Sequence, residues 1–183
     1  MNKIYSFFTK IILLIPAVGL VLLIRLLKPL VVVRFLALDI GRIGGMYPAE
    51  WYLAERNADM HREKYFDIFY CIKTTGSVCN QQWLKMWKRV LFIPPFWILW
   101  QMVDRLNKRF PGYQSHRIAI NFAHPIYGQE YKGIETTRCV LNNIKPSLSF
   151  TPQEEILGQT LLRHLGIPEG RPFVCFHARD SLI

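Results

Sequence analysis

The densest gathering of chemically able side chains stands near the carboxyl terminus. There His177, Arg179 and Asp180 follow the apolar run Phe173-Val-Cys-Phe. Side chains alternate along a strand, so His177 and Arg179 can face one side together. An arginine offers a bidentate fork to a phosphate. A histidine accepts or donates a proton near neutral pH. Asp180 can orient either neighbour or accept a proton, but an ionised carboxylate beside arginine is a weak base. His177 is therefore the expected proton acceptor, Asp180 its orienting partner and Arg179 the anion holder. A salt bridge at a strand end is the plainer reading of the same three residues.

A second candidate is Gly41-Arg-Ile-Gly-Gly. Glycines let backbone N–H groups approach a ligand, and a helix N-terminus favours anions. Arg42, Gly44 and Gly45 are the candidate substrate-binding residues here. The pattern is not the dinucleotide fingerprint, because the third glycine is absent and no acidic residue ends the next strand. A tight turn is the plainer alternative. No metal site is expected. The cysteines Cys71, Cys79, Cys139 and Cys175 form no Cys-x-x-Cys pair, and no histidine pair has zinc-ligand spacing. Four reduced thiols in a cytosolic setting account for them, with Cys175 a small core residue.

Elements that would position these groups can be read from hydrophobic patterning. Leu30 to Leu38 is β-branched and apolar and predicts a buried strand before the glycine turn. A helix is predicted over Ala49 to Asn57 and a second strand over Tyr65 to Lys73. Gln81 to Leu91 predicts a helix with a Trp83, Met86, Trp87, Val90 core stripe. Phe92 to Val103, broken by Pro94 and Pro95, predicts a buried helix, with a second interfacial contact as the alternative and Asp104 to Arg109 as its polar end. His116 to Phe122 predicts another strand. Thr151, Pro152 and Glu154 mark a capped helix start, with Leu157, Leu161, Leu162 and Leu165 as its buried face and Gly166 as its stop. Phe173 to His177 then predicts a mid-sheet strand. Strands alternating with helices imply an α/β fold with a mostly parallel Rossmann-like sheet flanked by helices. Ligands of such sheets bind beyond the carboxyl ends of the strands, where both candidate sites fall.

The amino-terminal segment is different. Ile11 to Ile24 is unbroken by polar side chains and lies between Lys10 and Arg25. Extended back to Ile4 it reaches the ~20 residues of a bilayer crossing. Arg25-Leu-Leu-Lys-Pro stands where a signal-peptide cleavage site would be. The expectation is an uncleaved membrane helix, spanning or interfacial, over residues 1–28, followed by an α/β domain over 29–183. Basic residues after the helix would place the rest of the chain on the cytoplasmic side of the inner membrane.

Lys and Arg exceed Asp and Glu by 23 to 13, which implies an anionic partner. The basic residues are scattered and no nucleic-acid motif is present, so nucleic acid is not expected. The strings Pro29-Leu-Val-Val-Val-Arg-Phe, Arg42-Ile-Gly-Gly, Glu50-x-Tyr-Leu, Phe110-Pro-Gly…His116, Phe150-Thr-Pro-Gln-Glu-Glu…Gly158, Leu165-Gly-Ile-Pro and Pro172-Phe-Val-Cys-Phe-His-Ala-Arg-Asp-Ser together resemble a family of bacterial surface-polysaccharide glycosyltransferases. They cover most of residues 29–181 in order. The resemblance implies two Rossmann-like domains with a cleft between them, of which this chain is the N-terminal half. It implies a nucleotide-sugar donor substrate, no further cofactor, and a membrane-lipid or lipid-linked glycan acceptor. The family's first motif reads Arg-Ile-Gly-His. Gly45 stands here in place of that histidine, so the role of that side chain is lost. Without the second domain, a non-catalytic binding or assembly protein is the alternative, and the chain alone is not expected to transfer sugar.

Overall fold

A computed structural model describes residues 3–57, 65–73, 77–119 and 146–174. The chain divides into two compact units, Met1–Leu148 and Ser149–Ile183.

In the first unit, strands β1 (Val32–Asp39) and β2 (Tyr65–Ile72) pair in parallel, Val32 opposite Tyr65 through Asp39 opposite Ile72. Parallel strands are stable when both faces are covered, and both are covered here. Helices α1 (Lys3–Leu26) and α4 (Trp97–Asn107) lie on one face. Ala17, Val21 and Ile24 of α1 and Val103 of α4 meet Val33, Phe35, Ile68 and Tyr70 there. Helices α2 (Tyr47–Asn57) and α3 (Gln81–Val90) lie on the other face. Ala49, Tyr52, Leu53, Leu84 and Trp87 pack there on Leu38, Phe69 and Cys71. The period-two alternation of β1 and β2 thus divides their side chains between two cores.

This architecture corrects the expected one. The fold is mixed α/β, but among the described residues the sheet has only two strands, not a broad Rossmann-like array. Residues Tyr113–His116, at the start of the third expected strand, form a 3₁₀ turn. Among the described residues an isolated bridge, Phe35 to Arg117, takes the place of a strand pairing with β1, and residues 120–122 of the expected strand lie outside the described residues. Gly112 precedes that 3₁₀ turn with a left-handed φ of 73°, and the tight turn takes up His116, the first residue of the expected strand. Phe173 and Val174, expected mid-sheet, are exposed and outside any strand.

The expected membrane-spanning helix is also corrected. Among the described residues no helix is long and apolar enough to cross a membrane. The apolar stretch of α1 is interrupted by Lys10 and closed by Arg25, and Arg25 is tied into the fold. Its guanidinium donates to Asn107 Oδ1 at 2.8 Å, to the Asn107 carbonyl at 3.2 Å and to the Pro111 carbonyl at 3.0 Å. Asn107 ends α4, where a cation satisfies an orphan carbonyl and opposes the helix dipole, and Pro111 lies in the turn that follows. One face of α1 is therefore committed to protein.

Two helix faces differ from their expected stripes. In α3, Met86 and Trp87 are buried as expected, but Leu84 joins them and Val90 is exposed. In α4, the expected polar end is exposed at Arg105, Lys108 and Arg109, but Asp104 and Asn107 lie inside, where Asp104 accepts from Tyr70 Oη and Lys108 Nζ, each at 2.7 Å. A buried carboxylate needs such donors, and their presence is invisible in local patterning.

The second unit contains α5 (Pro152–His164). Its start is as the sequence predicts. Thr151 Oγ1 accepts from the Glu154 N–H, and the Glu154 carboxylate accepts from the Thr151 N–H. Gly166 follows its end with a φ of 82°. The expected buried face is not buried: Leu157, Leu161 and Leu165 are exposed. Cys175 lies outside the described residues.

Candidate functional site at the strand ends

The carboxyl end of β1 turns sharply. The Asp39 carboxylate accepts from the Gly41 N–H at 3.0 Å, and the Gly45 N–H donates to the Arg42 carbonyl at 3.0 Å. A 3₁₀ turn over Ile43–Met46 then feeds α2. The two glycines behave differently. A Cβ on Gly45 would sit 2.0 Å from the Asp39 carbonyl oxygen, whereas a Cβ on Gly44 would meet nothing within 4 Å. Gly45 is therefore a packing glycine that lets the turn fold back on β1. Gly44 is exposed, as is Arg42, and Arg42 has no ion-pair partner among the described residues.

The neighbouring strand ends beside it. The Ile40 N–H donates to the Ile72 carbonyl at 2.9 Å, and the Cys79 N–H donates to the Ile40 carbonyl at 2.9 Å. Lys73 emerges directly from β2. Its Nζ stands 5.6 Å from the Trp97 ring centroid, and Lys88 Nζ of α3 stands 5.7 Å from the same ring. Both lysines are exposed and have no carboxylate partner among the described residues. An indole face attracts ammonium groups and restricts their long stems without neutralising them. Arg42 and Lys73 thus leave the ends of adjacent strands, and Lys88 shares an indole with Lys73.

Cys71 lies one turn of the ladder below. Burial pushes its thiol up to about 11, although Lys88 and Lys73 pull the other way. A protonated buried thiol is not a nucleophile at neutral pH. Glu50, in the first turn of α2, accepts from the Ser147 N–H at 3.1 Å and is committed to that contact. Among the described residues no group of three or more His, Cys, Asp or Glu is placed to hold a metal ion.

At the amino end of the same strands the charges are closed off. Arg34 and Asp67 face each other across β1 and β2, with Nε to Oδ1 at 2.7 Å and Nη2 to Oδ2 at 3.0 Å. Tyr52 Oη donates to the same carboxylate, and the Tyr65 ring lies 3.5 Å from the Arg34 guanidinium carbon. Burial, then the Asp67 hydrogen bond, push the Tyr52 hydroxyl up to about 12. His116 is buried nearby, its Nδ1 donating to the Val33 carbonyl at 2.8 Å. A carbonyl can only accept, so Nδ1 carries the proton in the neutral ring.

Of the residues singled out from sequence, Arg42, Gly44 and Gly45 lie together at the β1 turn. His177, Arg179 and Asp180 lie outside the described residues. Lys73, Lys88 and Trp97 were missed. Part of their signal was present, a lysine as the last residue of a predicted strand, but their convergence needs α3 and α4 in place. No protein-family model, no curated protein and no solved structure matches this chain.

Proposed function

We propose that this chain supplies one wall of the substrate cleft of a glycosyltransferase using a nucleotide-sugar donor and a lipid-linked or polysaccharide acceptor. The observation that carries this reading is the set of exposed cations with no carboxylate partner among the described residues: Arg42 and Lys73 just past the carboxyl ends of two parallel strands, and Lys88 of α3, which shares the Trp97 ring with Lys73. That edge is where open parallel sheets bind ligands. In sugar transfer an acceptor hydroxyl oxygen bonds to the anomeric carbon, the bond to the diphosphate oxygen breaks, and the hydroxyl proton passes to a base. Negative charge grows on the departing diphosphate, and fixed cations stabilise it. Arg42 has the fork for two phosphate oxygens, and the lysines act as point charges. The His177-Ala-Arg-Asp motif of the sequence adds His177 as the base, Asp180 as its orienting partner and Arg179 as a further anion holder.

Calorimetric titration with a nucleoside diphosphate tests the reading. Wild type should bind, and Arg42→Ala or the Lys73→Ala, Lys88→Ala pair should each weaken binding by about tenfold or more. An unchanged affinity in both variants, or no binding by wild type, would remove the cleft from this edge of the sheet.

A further inference from the structure

From Ile11 onward, helix α1 is buried along one narrow line and exposed along most of the opposite side. Ala17, Val21 and Ile24 form the line that packs on the sheet. Ile11, Ile12, Leu14, Ile15, Val18, Leu22, Leu23 and Leu26 are exposed. At about 100° per residue, the exposed positions spread over roughly half the circumference. Nothing in that half between Ile11 and Ile24 is polar or charged. A soluble monomer seldom exposes so continuous an apolar surface.

We propose that this bare half of α1 docks on a lipid bilayer surface with anionic headgroups, the helix lying along the surface rather than crossing it. Two observations choose lipid over protein. Protein interfaces are only about 56–65% apolar and carry matched hydrogen bonds, whereas this face offers no side-chain donor or acceptor. Charge supplies the second. Exposed Lys28 follows the helix, Lys3 and Lys10 stand in its first half, and no Asp or Glu precedes Asp39. That distribution complements an anionic headgroup layer. The committed face of α1 also fixes the geometry. With Ala17, Val21 and Ile24 held by protein and Arg25 bonded to the end of α4, only the opposite side can enter lipid, and it can enter only to a shallow depth. The inference concerns α1 alone and does not depend on the chemistry at the strand ends.

The test uses the full chain and sedimentation with vesicles. Wild type should bind vesicles of phosphatidylcholine mixed with phosphatidylglycerol more tightly than pure phosphatidylcholine, and high salt should weaken the difference. Ile15→Glu with Leu22→Glu should reduce binding by at least about tenfold. Both positions are exposed, so circular dichroism should show an unchanged fold. Leu161→Glu, on an exposed position of α5, should bind as wild type. A tryptophan at position 15 (Ile15→Trp) should shift its emission to the blue with the mixed vesicles. Equal binding by the double glutamate variant overturns the proposal. So does a lipid-free dimer that this variant dissociates, or a protein partner that binds α1 while vesicles do not.

Discussion

The two ends of the β1–β2 pair both gather cations, and they treat them in opposite ways. At the amino end Arg34 is sealed between two tyrosine rings and held by both oxygens of Asp67. At the carboxyl end Arg42, Lys73 and Lys88 reach solvent with no carboxylate among the described residues to meet them. Desolvation explains the contrast. A buried charge must be matched to exist at all, whereas an exposed one can wait for a ligand. The matched end is therefore structural, and the unmatched end is where binding is expected. Substitutions at the two ends should separate stability from binding accordingly.

The largest effect belongs to the sealed end. Asp67→Ala strands the Arg34 guanidinium in the interior and removes the acceptor of Tyr52 Oη. Loss of one partner of a buried pair costs about 3–5 kcal/mol, measurable by urea denaturation. Replacing both partners, Arg34→Met with Asp67→Leu, should recover most of that loss. A Asp67→Ala variant within half of ~1 kcal/mol of wild type would show that water reaches the pair and that the ends do not differ in kind.

The intermediate effect contrasts two adjacent glycines at the open end. Gly45→Ala forces a methyl group against the Asp39 carbonyl and should cost about 1–3 kcal/mol. Gly44→Ala meets empty space and should stay within ~0.5 kcal/mol of wild type. Equal losses in the two variants would mean that the turn adopts another path.

Local chemistry was legible in the sequence where it acts through near neighbours. The capped start of α5 needs only Thr151 and Glu154, and the strand–turn–helix passage around Gly41 needs only its own residues. The parallel direction of β1 and β2 follows from the alternation of strand and helix signals. What failed depends on partners distant in sequence. Nothing near Asp104 announces Tyr70, and nothing near Arg25 announces Asn107, yet these contacts bury the end of α4 and hold α1 to the protein. An apolar run between basic residues reads as a membrane crossing whether or not one of its faces is already occupied. The lysine pair on Trp97 was hidden for the same reason, since Lys73, Lys88 and Trp97 come from three elements.

The smallest effect returns to the sealed end and depends on pH. His116 donates from Nδ1 to the Val33 carbonyl, and its Nε2 is buried without a hydrogen-bond partner among the described residues. Protonating Nε2 would place a cation in a dry site near Arg25 and Lys28. Burial first, and then these two cations, lower the histidine pKa below its usual 6.5, while the hydrogen bond to Val33 resists the shift. The unfolded chain therefore takes up this proton before the folded one does. Stability from the neutral ring is fully present above 6.5 and is lost as pH falls from there through the lowered folded value. His116→Gln keeps an N–H donor for Val33 and cannot titrate. Urea melts of wild type and variant across a pH series should run parallel above 6.5 and diverge below it, with wild type losing more. Carboxylates elsewhere titrate in both proteins and cancel in the difference. Curves that stay parallel at every pH would mean that water or an acceptor reaches Nε2, and the amino end would then be less sealed than the carboxyl end is open.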